Sequence, residues 1–210
     1  AVERFRLNDD PIMYPSIDWR RYLLNKTSVQ TQHNLNISGG TKDIRYFISL
    51  GFLYQNGLLK QFEGVGYDNN YKYKRYNYRA NLDFDATKTT TLKIGIGGIV
   101  GNRNEPMIND ATNSIWTLIN QTTPFSSPGV IDGKLIVTPE ERFDNKINLG
   151  NSALPKCYGT GYSTAINNTM NLDLLLNQKL DFITKGLSAE IKGAYNTSYG
   201  FTKKRKGQVE

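Results

Sequence analysis

The sequence predicts an all-β protein, an antiparallel transmembrane β-barrel segment of about six strands with long extracellular loops. Three observations predict it. Apolar and polar residues alternate over stretch after stretch, and an extended chain points alternate side chains to opposite faces. In the clearest stretch, residues 44–54, tyrosines sit towards both ends of the apolar row, with aliphatic residues and Phe between them. Tyr settles at a membrane–water interface, so such a row suits a lipid-facing strand. Third, short connections alternate with long ones, as in outer-membrane barrels, whose periplasmic turns are short and extracellular loops long. A single soluble strand can show the same alternation, so a soluble β-rich carbohydrate-binding or adhesin domain is the alternative. The weight rests on recurrence.

The elements follow in order. Residues 1–27 read as a loop leading into the barrel. A weaker strand at 29–39 sets Val29, Leu35, Ile37 and Gly39 against Gln30, Gln32, Asn34, Asn36 and Ser38. At 44–54, Ile44, Tyr46, Ile48, Leu50, Phe52 and Tyr54 make a continuous apolar row. At 75–86, Tyr76, Tyr78, Ala80, Leu82, Phe84 and Ala86 oppose Arg75, Asn77, Arg79, Asn81, Asp83 and Asp85. At 91–101, Leu92, Ile94, Ile96, Gly98 and Val100 oppose Thr91, Lys93, Gly95, Gly97 and Gly101, with Ile99 out of pattern. At 166–182 a row from Ile166 through Met170, Leu172, Leu174, Leu176 and Leu180 to Phe182 is broken by Asn168 and Gln178. At 187–199, Leu187, Ala189, Ile191, Tyr195 and Tyr199 oppose Ser188, Glu190, Lys192, Asn196 and Ser198. Period-two parity sends Tyr46, Ile48, Leu50, Phe52, Leu82, Phe84, Leu92, Ile94, Leu172 and Leu174 to lipid. It sends Arg79, Asn81, Asp83, Lys93, Asp173 and Lys192 to the lumen.

Tight turns are expected around Thr41–Asp43, Ala86–Thr90 and Thr184–Gly186, and long extracellular loops at 55–74 and 102–165. The chain therefore divides into the lead-in, barrel strands at 28–101, the long loop 102–165, and strands with the start of a further loop at 166–210. Composition is compatible with this. The chain has 210 residues and a net charge of +7. Its mean hydropathy of −0.51 excludes a helical membrane protein but not a barrel, whose lumen face and loops are polar. The single cysteine, Cys157, precludes an internal disulfide. No signal peptide is evident, which reads as a mature or internal segment.

Few residues carry chemistry. Tyr67 to Arg79 interleaves tyrosines with Lys72, Lys74, Arg75 and Arg79. Nucleic-acid proteins mix these types too. From residue 75 onward, however, parity puts the rings and the arginines on opposite faces, which favours an aromatic girdle with Arg75 and Arg79 in the lumen. Gly95-Ile96-Gly97-Gly98 fails as a dinucleotide loop, because Val100 stands at the sixth position and no helical pattern follows. His33, the only histidine, has no partners for a metal site or a relay. Asp83 and Asp85 share a face and more simply pair with lumen arginines than act as acid and base. No catalytic, cofactor or metal residue is assigned. Residues 113–121 suit a short helix with an apolar patch at Ile115, Trp116, Leu118 and Ile119. Trp116, Phe125 and Tyr158 in the long loop, with Arg75 and Arg79, are the candidate substrate or partner contacts.

Several stretches resemble the SusC-like family of TonB-dependent outer-membrane transporters, the starch-utilisation-type nutrient importers of Bacteroidota. Tyr14-Pro15-Ser16-Ile17-Asp18-Trp19 is similar to that family's Tyr-Pro-Asn-x-Asp-Trp, with Ser16 for Asn. Asn34 to Thr41 resembles its strand ending in Ser-Gly-Gly-Thr, and Tyr46 to Gly57 its next strand, with Phe52 where Tyr is common. Pro124 to Gly133 resembles its Pro-rich loop ending in Asp-Gly, and Ile183 to Ser188 its late turn. The order of these pieces along the chain makes the resemblance specific. It implies a barrel of roughly 22 strands with a plugged lumen, of which this chain supplies about six. The plug domain, TonB box and aromatic carboxy-terminal strand are not seen. Six strands cannot close so wide a barrel, and open edges cannot face lipid. The chain is thus expected to be a fragment that stops in a basic loop at Lys203–Glu210. The resemblance further implies the outer membrane of a Gram-negative bacterium and a cargo of oligosaccharides or peptides. The implied partners are a SusD-like surface lipoprotein, the TonB complex acting through parts not present, and outer-membrane lipid, with no nucleic acid.

Overall fold

The computed structural model describes residues 2–7, 10–108, 114–136 and 153–207. Two short helices, α1 (Val2–Leu7) and α2 (Trp19–Leu23), precede strands β1 (Gln30–Gly40), β2 (Ile44–Asn56), β3 (Lys72–Asp85) and β4 (Thr90–Pro106). Helix α3 (Ile115–Gln121), a small hairpin β5 (Val130–Ile131) and β6 (Lys134–Leu135), and helix α4 (Ala153–Tyr158) fill the following connection. Strands β7 (Gly161–Lys179) and β8 (Ser188–Lys206) complete the sheet. The six long strands form one antiparallel sheet in the order β1-β2-β3-β4-β7-β8. Among the described residues β1 and β8 are each paired on one side only.

The register turns the alternation of single strands into two continuous faces. Directly paired residues of antiparallel strands share a face. Ile37, Ile48, Ala80, Ile96, Leu172 and Tyr195 form one row across all six strands. Leu35, Leu50, Tyr78, Gly98, Met170 and Thr197 form the next. On the other face run Asn36, Ser49, Arg79, Gly97, Asn171 and Asn196, and beside them Ser38, Phe47, Asn81, Gly95, Asp173 and Ala194. A one-residue slip in any strand would mix the two sets, so the apolar rows fix the register. Tyr46 lies across Gly39, where an added Cβ would come within 2.6 Å of the Tyr hydroxyl. This is the physical use of the glycine ahead of the β1–β2 turn.

The strands outrun the pattern. β4 continues past Gly101 to Pro106, and β7 begins at Gly161 rather than Ile166. β7's early start gives β8 partners as far as Lys206, so Lys203 to Lys206 lie in a strand and not in the expected basic loop. Conversely β7 ends at Lys179, and Leu180 and Phe182 lie in a turn. Asp181 accepts the Gly186 amide at 2.7 Å there, and Gly186 takes a φ of +84°. A short acidic side chain bonding its own backbone ends the ladder early.

The buried core does not sit on the sheet. It comprises Trp19, Leu23, Leu59, Leu118, Ile119, Ala153, Leu154, Cys157 and Tyr158, all outside the six strands. The residues before β1, the β2–β3 connection and the β4–β7 connection all leave the same end of the sheet, and there they pack together. The three short turns lie at the opposite end.

Candidate functional site

Two surfaces can do work: the polar face of the sheet and the loop core at its end. The loop core is assembled from local signals. Asp18 caps α2, accepting the Arg21 amide at 3.2 Å. That turn buries Trp19, whose indole N–H donates to the Thr123 carbonyl at 2.8 Å. Ser114 caps α3 through the Thr117 amide and helps aim Leu118 and Ile119 inward. Asp132 and Gly133 both take positive φ, 49° and 75°, the turn that two-residue hairpins require. The hairpin docks on the β2–β3 connection at Gly64, where any Cβ would collide with the Gly133 carbonyl.

Aromatic rings and their hydroxyls bind these pieces. Tyr22 stacks on Phe62 at 5.3 Å and accepts the Val130 amide at 2.8 Å. Phe62 meets Tyr158 edge-on at 5.1 Å. Tyr158 is 1% exposed and donates to the Lys60 carbonyl at 2.6 Å. Burial raises its pKa, with Cys157 and Tyr22 adding to the rise. Tyr67 donates to the Tyr158 carbonyl and accepts the Gly161 amide at 3.0 Å. Its pKa is raised by burial, against the lowering effect of that amide. Cys157 is fully buried and its thiol is pushed up to about 12.

The polar face is amide-rich in its middle and charged near the short turns. The side-chain amides of Asn34 and Asn77 flank Gly51, 3.0 and 3.2 Å from where a Cβ would lie. Arg79 is exposed between Ser49 and Gly97, while Arg75 is half-buried between Leu53 and Gly101. Towards the turns, Arg45 lies 3.9 and 3.8 Å from Asp83 and Asp85, and Lys93 lies 3.8 Å from Asp83. An open cleft of about 650 Å³ is lined there by Asn81, Lys93, Asp173 and Lys192 among others. Phe47, Leu53, Ile99 and Leu175 are apolar residues on this face.

The expected contact residues therefore separate. Trp116, on α3, is 49% exposed and Phe125 is 40% exposed, both on the surface of the loop core. Tyr158 is inside that core. Arg75 and Arg79 belong to the sheet. His33 lies on the apolar parity and stacks on Phe52 at 6.3 Å, a packing role. The ten residues assigned to one face and the six assigned to the other are segregated as expected. Sequence reading missed the structural part of residues 10–28 and 57–71. A signal existed in the Asp18 cap before Trp19, but nothing local says what Trp19, Leu23 and Phe62 pack against. Among the described residues no group of three His, Cys, Asp or Glu could hold a metal, and no helix is long and apolar enough to cross a membrane.

Sheet, register and loop arrangement are those of an antiparallel barrel segment. No family model matches the chain. In sequence it is 28% identical over 125 residues to the TonB-dependent receptor SusC of Bacteroides thetaiotaomicron, a stretch of 53% of this chain and 12% of SusC. In fold it is similar to the RagAB peptide transporter, with a TM-score of 0.62 at 16% identity over 91% of this chain and 20% of that one. The RagAB peptide importer in its closed-closed state gives 0.59 over 89% of this chain, at 16% identity and 19% of that chain. In the open-open state it gives 0.62 over 88%, at 17% identity and 19%. The resemblance to SusC-like transporters read from the motifs is borne out, and so is the antiparallel barrel-segment fold. The chain spans about an eighth of SusC and about a fifth of the RagAB chains.

Proposed function

We propose that this chain is part of the barrel wall of an outer-membrane TonB-dependent importer in a Gram-negative bacterium. Its apolar face meets lipid and its polar face lines the lumen. The observation that carries the reading is the register: rows across all six strands keep an exposed apolar face on one side and amides and charges on the other. A soluble monomer rarely exposes so large an apolar surface, and no other described layer covers it. Both long connections at one end match the extracellular side of such barrels.

The segment works by shape and polarity, with no bond made or broken. Asn34, Asn36, Asn77 and Asn171 offer donors and acceptors to a hydrated cargo without trapping it by charge. The cargo class is oligosaccharides or peptides, supported by the likeness to SusC and to the RagAB peptide importer. A SusD-like surface lipoprotein closes over the loop core, with Trp116, Phe125 and the lumen arginines as contacts, and TonB acts through parts of the protein outside this chain. The extracellular connection of this reading is narrower than the 102–165 expected from the sequence, because β4 runs to Pro106 and β7 starts at Gly161. The test is made on the full-length protein. It should fractionate with the outer membrane, need detergent for extraction and run heat-modifiably. Uptake of labelled oligosaccharides or peptides should stop on its deletion. Recovery as a soluble species without detergent would refute the barrel reading.

A further inference from the structure

The sheet's apolar face ends differently at its two rims. At the short-turn rim the last outward rows are Ile44, Phe84, Leu92, Leu176 and Ile191, then Thr90, Gln178 and Ala189. None is charged. At the loop-core rim the row Tyr54, Lys74, Asn102, Ile166 and Phe201 is followed by Asn56, Lys72, Asn104, Thr164 and Lys203, and then by Pro106, Tyr162 and Arg205. The outward parity of the upper rows is fixed by side-chain contact as well as by register, since Thr164 donates to Asn104 Oδ1 at 3.1 Å. Lys72 pairs with Asp68. Lys74, Lys203 and Arg205 are exposed, and no ion pair joins any of them to a carboxylate among the described residues. Lys203 and Arg205 stand two places apart on one strand, roughly 7 Å along it.

We infer that Lys74, Lys203 and Arg205 form a cationic rim that binds the phosphorylated headgroups of membrane lipid in the leaflet on the loop-core side. The inference rests on the barrel-wall reading. Its basis is charge complementarity continuous with an apolar band. Acyl chains would lie on Ile96, Met170 and Leu172, rings at Tyr54 and Phe201 would mark the interface, and cations stand at and just above that level, where lipid phosphate lies. Lys204 and Lys206 have the opposite parity and face inward, so they serve as internal controls.

The full-length protein is reconstituted in phosphatidylcholine nanodiscs doped with diphosphorylated lipid A or its dephosphorylated form, and bound lipid is counted by native mass spectrometry. The wild type should prefer the phosphorylated lipid, less so at high salt. Each cation near a charged surface is worth on the order of fivefold, so K74Q/K203Q/R205Q should lose about a hundredfold. K204Q/K206Q should bind as wild type. Equal loss in the control, no preference between the two lipids, or competition by inorganic phosphate at millimolar concentration would each overturn the proposal. Heat-modifiability on the same samples separates failures: an inserted barrel without lipid preference sinks the rim alone, whereas a protein that never inserts sinks both readings.

Discussion

At the scale of residues, the loop core and the sheet face make opposite demands. Cys157 has no exposed surface and a thiol raised to about 12, so its reactive thiolate is scarce below that pH. Although Cys157 lies in the connection expected as an extracellular loop, it is packed inside the loop core on α4. An impermeant maleimide should leave Cys157 unmodified in the folded protein at pH 8 and add the mass of one reagent molecule there after denaturation. Labelling of the native protein at the rate of a free thiol would show that the core opens. Tyr158→Phe removes one buried hydroxyl and leaves the Lys60 carbonyl short of a donor. It should cost about 1–3 kcal/mol of loop-core stability, read by hydrogen exchange in α4 and residues 57–65. On the sheet, Leu172→Arg puts a charge in the middle of the apolar rows and should cost roughly 2–4 kcal/mol of barrel folding into lipid. Asn171→Arg, its neighbour on the polar face, should cost far less. Equal costs would deny that the faces meet different solvents.

At the scale of elements, strands were legible where they carry their own pattern and illegible where a partner makes them. From Ile44 to Tyr54 every second residue is apolar without a break, although Phe47 and Leu53 fall on the other face, and β2 forms there. Lys203 to Lys206 have no strand pattern, yet they extend β8 because β7 starts early at Gly161 and offers Gly161 to Ala165 as partners. Leu180 and Phe182 keep the parity, yet leave the strand because Asp181 bonds the turn. The Asp132-Gly133 turn was legible as a motif, but its docking on Gly64 was not, since close backbone approach leaves no local signature. Gly64→Ala needs both a positive φ, +90°, and space that the Gly133 carbonyl occupies. It should loosen the hairpin and raise proteolysis within 57–71 and 124–136, while heat-modifiability of the barrel persists. Unchanged protease resistance would show that the hairpin is held elsewhere.

At the scale of the whole molecule, the sheet directs every long connection to one end. An epitope inserted at Thr184–Gly186 should be reached by antibody only after the outer membrane is permeabilised, whereas one beside Ser114 should be reached on intact cells. The reverse result would invert the proposed orientation. Trp116→Ala, an exposed change, should weaken lipoprotein association or uptake without altering barrel assembly, and normal association would assign Trp116 to loop packing alone. The candidate site was legible to this extent only. The sequence named exposed aromatics in the long loop, but Tyr158 among them became a core residue once Phe62 and Lys60 arrived from the other connection.

The loop core also sets a timetable. Trp19 reaches Thr123 and Tyr22 reaches Val130 across more than a hundred residues, and Tyr67 reaches Tyr158 across ninety-one. Contacts of such separation form late, because loop closure is costly before other contacts reward it. The hairpins β1–β2 and β3–β4 need only their own turns. The residues before β1 must therefore wait for these partners until α4 has been delivered. Maturation of this wall is sealed at its loop-core end, by a stretch of chain that precedes the six strands and packs after them.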